Sequence, residues 1–518
     1  MNLTQPLHRA LACRPNAIAT VFGERRQTFR QFGDRVARLA GALRMLGVQA
    51  GDRVGMLALN SDRYLEYCMA VPWAGGVLNA VNTRWSTAEI AYSLDDCDTR
   101  VLIVDDSFAA LVPELRQRSK SLRIVIHAGE QQTPADTLSH EGLVAGAAPV
   151  PDAMRTGADL AAVCYTGGTT GYPKGVMLAH AGLAVNGLAL VGEGTMAEGA
   201  VSLTTLPLFH ISSQLMLNAA WLVGATHVIL PGFTPLGVAR AIQEHRITVA
   251  SFVPTMIQML VDHPELGGFD LGSLKTVCYG GSPISEAVLG RVLRAFPHVA
   301  FFQVYGMTEL SPIITILRPE LHAPGAASKA RLRSGGRPGY CTEVRIVDED
   351  GREVERGAVG EIAVRGVGVM LGYWGRVEAT AQALRNGWMH TGDVGYMDDD
   401  GFVFVVDRLK DMIVTGGENV YSAEVEQALA NHPAVAACAV IGVPDAEWGE
   451  RVHAVVVLKP GNEATVQTLR DHCRAYIAGY KCPRSVEFMA ALPLSGAGKV
   501  LKTRLREPHW AGRARGVA

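Results

Sequence analysis

The chain is organised around Tyr165-Thr-Gly-Gly-Thr-Thr-Gly-Tyr-Pro-Lys-Gly-Val176. This stretch follows a short apolar run, Leu160 to Cys164, that predicts a buried strand. Gly167, Gly168, Gly171 and Gly175 leave the backbone free for positive φ and for close approach to a ligand. Thr166, Thr169 and Thr170 add hydroxyl groups, and Lys174 adds a positive charge. Successive N–H groups in such a loop form a concavity suited to phosphate. The loop is not a Gly-x-x-x-x-Gly-Lys-Ser/Thr P-loop. Pro173 precedes Lys174 and Gly175 follows it, so the second glycine and the magnesium-binding hydroxyl are both missing.

Around this loop lie 518 residues, too many for one ordinary domain. The 48 lysines and arginines nearly balance 50 aspartates and glutamates, so nothing in the charge points to nucleic acid. Nine scattered cysteines, none in a Cys-x-x-Cys pair, fit a reducing cytoplasm and speak against a disulfide framework or a zinc site. Met1 to Ala12 lacks the apolar core of a signal peptide. No run of about 18 apolar residues predicts a membrane span. The expected location is cytoplasmic, compatible with peripheral membrane contact.

Upstream of the loop, strand and helix patterns alternate. Thr28 with Gln31, and Ser86 with Glu89, read as capping boxes that open helices. Val54 to Leu59 and Val101 to Val104 read as buried strands. Alternation of this kind predicts an α/β fold with a mostly parallel, helix-covered sheet. Residues 128–159, rich in Ala, Gly and Pro, predict a loop-rich connection, after which the phosphate loop would sit on a second α/β unit. Short β runs within 340–406 predict a small β subdomain. A last α+β unit is expected from Asp407, with Ser422 capping a helix and a disordered tail after Pro508.

Six further stretches stand out. They are Leu206-Pro-Leu-Phe-His210, Tyr279-Gly-Gly-Ser-Pro283, Gln303-Val-Tyr-Gly-Met-Thr-Glu309, His390-Thr-Gly-Asp393, the run from Asp407-Arg-Leu-Lys-Asp411 to Gly416-Gly-Glu-Asn-Val420, and Leu494-Ser-Gly-Ala-Gly-Lys499. A lone histidine is usually structural, a lone glutamate usually solvated, and a charged run usually a surface face. Taken together and in this order, the stretches resemble the adenylate-forming superfamily, which includes acyl- and aryl-CoA synthetases, luciferases and nonribosomal adenylation domains.

The resemblance implies a large N-terminal domain, 1–406, built of two α/β sheets and a small β subdomain. A smaller mobile α+β domain, 407–518, would rotate about Asp407. It further implies that Thr166, Gly167, Gly168, Thr169, Thr170, Gly171 and Lys174 hold the ATP phosphates. Gly280, Gly281, Ser282, Tyr305, Gly306, Met307, Thr308, Asp393, Arg408 and Lys499 would complete the nucleotide site. Glu309 would hold Mg2+, and Lys499, Thr308, Glu309 and His210 would be catalytic. Phe209, His210, Phe252, Thr255 and Gly281 would line the acyl pocket, and Gly416, Gly417 and Glu418 would meet CoA. The family motif usually has threonine where Ser495 stands; serine keeps the hydroxyl. Lys502 is expected to face solvent. The implied reaction uses ATP, Mg2+ and CoA to turn a carboxylic acid into its acyl-CoA. A medium- or long-chain fatty acid is the first expectation. An aryl-CoA ligase of the benzoate or cinnamate type, or a non-catalytic nucleotide-binding protein, is the alternative. A homodimer is a further expectation.

Overall fold

The computed structural model describes residues 1–166, 173–282, 284, 286–322, 331–408, 411–415, 418–445, 447–495 and 499–511. Both capping boxes form as read. Thr28 starts the helix Phe29–Met45, with the Gln31 N–H donating to Thr28 Oγ1 at 3.3 Å, and Ser86 starts Thr87–Asp96. The apolar stripe Phe32, Val36, Leu39 and Leu43 is wholly buried.

Two large mixed sheets form the body. The eight-stranded sheet runs Gly372–Tyr373, Lys174–Ala179, Leu160–Thr166, Val77–Ala80, Arg53–Leu57, Val101–Val104, Ile124–His127, Leu138–Ser139. The nine-stranded sheet runs Arg337–Pro338, Ile313–Leu317, Ala300–Gly306, Thr276–Gly280, Val249–Phe252, Val201–Thr204, Thr226–Ile229, Ile18–Phe22, Arg25–Thr28. Their central strands are parallel, which places several strand ends, Thr166, Gly280 and Gly306 among them, where ligands of α/β sheets sit.

The two units do not divide along the sequence as expected. Strand Leu160–Thr166, which leads into the phosphate loop, joins the first sheet in register Leu78↔Ala162. The N-terminal strand Ile18–Phe22 crosses to the second sheet beside Thr226–Ile229. The 128–159 stretch also has structure of its own, with strand Leu138–Ser139 and helix His140–Gly146 capped by Ser139.

Residues 340–406 do form a β unit, with Thr342–Val347, Gly360–Gly366 and Trp388–Met397 pairing antiparallel. Its last strand, Val403–Arg408, runs through Asp407 and pairs Val394↔Asp407. Beyond it, Ile413–Thr415, Glu418–Val420, Val435–Asp445, Gly449–Leu458 and Ser485–Phe488 build a further sheet. Helix Ser422–Ala430 packs on this sheet, but Tyr421 occupies its N-cap and Ser422 is its first residue. The chain is helical through Pro508, in Lys502–Trp510, where Trp510 Nε1 donates to Gly442 O at 3.0 Å. No helix among the described residues is long and apolar enough to cross a membrane.

The core carries a pH liability. His227 is fully buried, its ring centroid 4.1 Å from that of Trp221, and neither ring nitrogen has a hydrogen-bond partner among the described residues. Burial pulls its imidazole down to about 3, and pulls His180 and His322 down to about 4. The unfolded chain therefore binds protons that the folded chain refuses as pH falls below the ordinary histidine value, and stability is lost through that window. His227→Phe removes one such site. Urea unfolding at pH 7 and pH 5 should shift the stability difference toward the variant by about 2 kcal/mol; an equal difference at both values would contradict a buried neutral His227.

Candidate functional site

The ends of the phosphate loop are pinned by a hairpin. Leu160–Thr166 and Lys174–Ala179 pair antiparallel with Thr166 opposite Lys174. Gly167, Gly168, Thr169, Thr170 and Gly171 lie outside the described residues. Lys174 Nζ stands 5.1 Å from the centroid of the Tyr373 ring, and Tyr373 OH donates to Glu309 Oε1 at 2.9 Å. Burial, followed by the Glu309 charge, raises the Tyr373 phenol, so it stays protonated and donating. Glu309 itself is buried, in a single 3-10 turn, Thr308–Leu310, and the Met370 N–H holds its carbonyl at 2.8 Å. Its charge also helps burial push the Cys164 thiol up to about 12. A buried carboxylate that shares Tyr373 with the lysine at the end of the loop fits the one or two carboxylates that a phosphate-bound Mg2+ takes from protein.

Tyr373 escapes sequence reading. It lies on a two-residue strand, Gly372–Tyr373, too short for any period, and only its pairing with Val176 brings it to the loop.

The residues expected at the nucleoside come from two sheets. Tyr305, on Ala300–Gly306, donates its hydroxyl to Asp393 Oδ2 at 2.6 Å. The His390-Thr-Gly-Asp393 stretch of strand Trp388–Met397 is braced by Glu361, which accepts from the Gly392 N–H at 3.0 Å and meets His390 Nδ1 at 2.8 Å. Met307 and Thr308 follow directly, both half-buried, as is Ser282.

The glycines here answer to protein rather than ligand. A Cβ on Gly280 would stand 2.1 Å from Val304 O, and one on Gly306 would stand 1.7 Å from Pro312 O. A Cβ on Gly281 would make only an ordinary contact with Val253, at 3.8 Å, but its φ of +81° is one that a side chain rarely adopts.

His210 lies at the N-terminus of helix Ile211–Leu222 and caps it. Its Nδ1 accepts from the Ser212 N–H at 3.2 Å, which assigns the remaining proton to Nε2. Burial, then the positive charge of Lys499, pulls the imidazole down to about 4, so it is neutral near pH 7. Phe209 beside it is half-buried.

Phe252 does not share this face. Strand neighbours alternate, and Phe252 packs with Phe233, Val238 and Tyr279 in the core on one side of the sheet. Cys278, paired with Ser251, packs on the other side with Leu215 and Met216 of the His210 helix. Ser251 therefore lies on the side of the sheet that faces the His210 helix and Phe252 does not, and Thr255 is exposed on the helix that follows.

The C-terminal unit reaches into this site. Leu494 and Val500 form a bridge, Ser495 Oγ accepts the Lys499 N–H at 3.1 Å, and Arg84 donates to Ser495 O at 3.2 Å. Lys499 is thus held where its charge is felt at His210.

At the expected hinge, Asp407 is buried and accepts from both the N–H and the hydroxyl of Ser422, the hydroxyl at 3.0 Å. Lys502 Nζ donates to the same hydroxyl at 2.5 Å and pairs with Glu426 at 2.7 Å. Lys502 therefore does not face solvent as its sequence position suggested. It holds the far end of the network that grips Asp407. The Arg408 side chain, Gly416 and Gly417 lie outside the description, and Glu418 is exposed on a three-residue strand.

Lys502→Met should leave the half-buried Glu426 carboxylate without its cation, at a cost of about 2 kcal/mol. Lowered protection of the amides around Asp407 and Ser422 in hydrogen exchange would report it; unchanged protection would mean that the network does not hold the hinge.

Comparison with known proteins agrees with this geometry. A profile described as "AMP-binding enzyme" matches residues 7–374, and one described as "AMP-binding enzyme C-terminal domain" matches 424–499. A feruloyl-CoA synthase of an Amycolatopsis species is 40% identical over 97% of both chains. A medium/long-chain-fatty-acid–CoA ligase of Mycobacterium tuberculosis is 36% identical over 98% of this chain and 90% of its own. Among solved structures, an anthranilate CoA ligase in complex with anthranoyl-AMP superposes with a TM-score of 0.89 at 29% identity, covering 98% of this chain and 97% of that one.

Proposed function

The chain belongs to the AMP-binding enzyme family and is an ATP-dependent acyl-CoA ligase that uses Mg2+ and CoA; on that premise we propose that its acid is aromatic, of the hydroxycinnamate class. The reaction reading rests above all on Lys499, which comes from the C-terminal unit yet lies close enough to lower His210. The acid reading rests on the 40% identity to a feruloyl-CoA synthase.

In the first half-reaction a substrate carboxylate oxygen attacks the α-phosphorus of ATP. The bond to the bridging oxygen breaks, pyrophosphate leaves, and an acyl-adenylate remains. Tyr305 and Asp393 would seat adenine and ribose, while the loop from Thr166 to Lys174 would take the β- and γ-phosphates. Charge builds on the α-phosphate oxygens, so positioned cations and donors are the main device. Lys499 and the Thr308 hydroxyl fill that role. Mg2+ held through Glu309 would neutralise phosphate charge. Neutral His210 presents an N–H toward the acyl side without adding a charge there.

In the second half-reaction the CoA sulfur attacks the acyl carbon, AMP departs with the bonding pair, and the thiol proton is lost to solvent. Residues 407–518 would turn about Asp407 against 1–406, withdrawing Lys499 and bringing Gly416, Gly417 and Glu418 toward the pantetheine arm.

A fatty acid is the second reading, favoured by the 36% identity to the mycobacterial ligase. AMP release with ferulate, cinnamate, benzoate, decanoate and palmitate, each with and without CoA, separates the two. Hydroxycinnamates should exceed the fatty acids at least about tenfold in kcat/KM, on the scale of a kcal/mol or more of pocket discrimination. Faster turnover of decanoate or palmitate would replace the aromatic reading with the aliphatic one.

A further inference from the structure

The sheet of the C-terminal unit and the last helix bring together three side chains that adenylate chemistry does not use. Strands Gly449–Leu458 and Ser485–Phe488 run parallel in register His453↔Ser485. Residues two apart on a strand share a face, so His453, Val455, Ser485 and Glu487 all lie on the same side. Helix Lys502–Trp510 crosses that side, and Leu505 packs in one cluster with Val455. His509, four residues after Leu505, shares its helix face and comes down over His453, with ring centroids 4.9 Å apart.

His453 is only 5% exposed. Its Nδ1 is tied to Ser485 Oγ at 2.8 Å, while Nε2 has no hydrogen-bond partner and faces Glu487 Oε2 at 3.8 Å. One ligand atom from each of His453, Glu487 and His509 lies within 4.8 Å of the other two, the only such trio of metal-ligating side chains among the described residues. Arg451, the neighbouring cation on the same strand face, leans toward Asp445 at 3.9 Å.

We propose that His453, Glu487 and His509 bind a transition-metal dication, Zn2+ being the fitting ion, as a pin between the last helix and the sheet. Two imidazoles and a carboxylate are a borderline donor set of the kind zinc takes, with water in the fourth position. Ser485 supplies the outer contact that turns a ligating histidine the right way, since a Nδ1 proton donated to its hydroxyl leaves the Nε2 lone pair facing the cluster. Zinc at bond lengths of about 2 Å needs its ligands roughly 3.3 Å apart. The trio must close by up to about 1.5 Å, which rotation of the exposed Glu487 side chain together with a small turn of the half-buried His509 ring can supply. The pinned helix begins three residues after Lys499, so an ion there would steady the segment that carries the lysine.

The test uses the full chain, freed of metal, titrated with Zn2+ against a chromophoric chelator and with Co2+ by visible absorption. One equivalent of Zn2+, tetrahedral d–d bands from Co2+ and a rise in melting temperature are expected. Glu487→Gln and His509→Ala should each weaken binding at least about tenfold and abolish the rise, with metal-free melting temperature and adenylation unchanged. Absence of stoichiometric binding, or binding that survives both substitutions and so belongs to cysteines elsewhere, overturns the proposal.

Discussion

Lys499→Ala should lose adenylate formation by a factor of about 100 to 1000, near 3–4 kcal/mol of transition-state stabilisation, on the scale of one lost oxyanion donor. The same variant, given preformed acyl-adenylate and CoA, should form thioester at close to the wild-type rate. The asymmetry follows from geometry. Lys499 is held over the N-terminal site by Ser495 and Arg84, and its charge is needed only where phosphate charge develops. Rapid-quench measurement of each half-reaction reads both numbers. Equal loss in both halves would mean that Lys499 is not withdrawn between them, and the rotation about Asp407 would fall. Acetylation of the same amine removes its charge and should silence the same half-reaction.

The second large effect is expected at Glu309. Glu309→Gln keeps an oxygen able to accept from Tyr373 OH, so the local fold should persist. It removes the buried charge that a hard cation requires, because a neutral amide is a poorer ligand. Adenylation should fall about a hundredfold at limiting Mg2+, a loss of the order of one preorganised electrostatic contact, and recover in part at high Mg2+. Tyr373→Phe, which keeps the carboxylate and removes only its hydrogen bond, should cost about tenfold or less. A Glu309→Gln rate equal to wild type at limiting Mg2+ would show that this carboxylate does not hold the ion.

What the sequence disclosed was local. Capping boxes at Thr28 and Ser86 and the strands beside them depend on residues three or four apart, and they form as read. The phosphate loop stands out by its glycines and threonines, whereas Glu309, Asp393 and Lys499 stand out only because their runs resemble those of the adenylate-forming superfamily. What the sequence hid depends on distant pairing. Parallel strands choose partners through crossovers, so nothing near Ile18 or Leu160 tells which sheet will take it.

Tyr373 reaches Glu309 only because a two-residue strand pairs with the phosphate hairpin. The resemblance places Gly280 and Gly306 in the nucleotide site, but the atoms these glycines spare are neighbouring carbonyls, which composition cannot reveal. Nothing near Lys502 in the sequence marks it as other than a solvent-facing lysine. Its partner Glu426 lies on another helix, outside any spacing rule. Phe252 illustrates the period-2 limit: a strand pattern says that neighbours oppose each other, and only the packed core says which of Ser251 and Phe252 faces the His210 helix.

The proposed chemistry joins a carboxylic acid to AMP before any thiol is involved. Exchange of labelled pyrophosphate into ATP, measured without CoA, tests it most directly. Exchange should depend on added carboxylic acid, disappear in Lys499→Ala, and need Mg2+. An exchange rate indifferent to the acid, or none until CoA is supplied, would contradict an acyl-adenylate formed at Lys499, Glu309 and the Thr166–Lys174 loop.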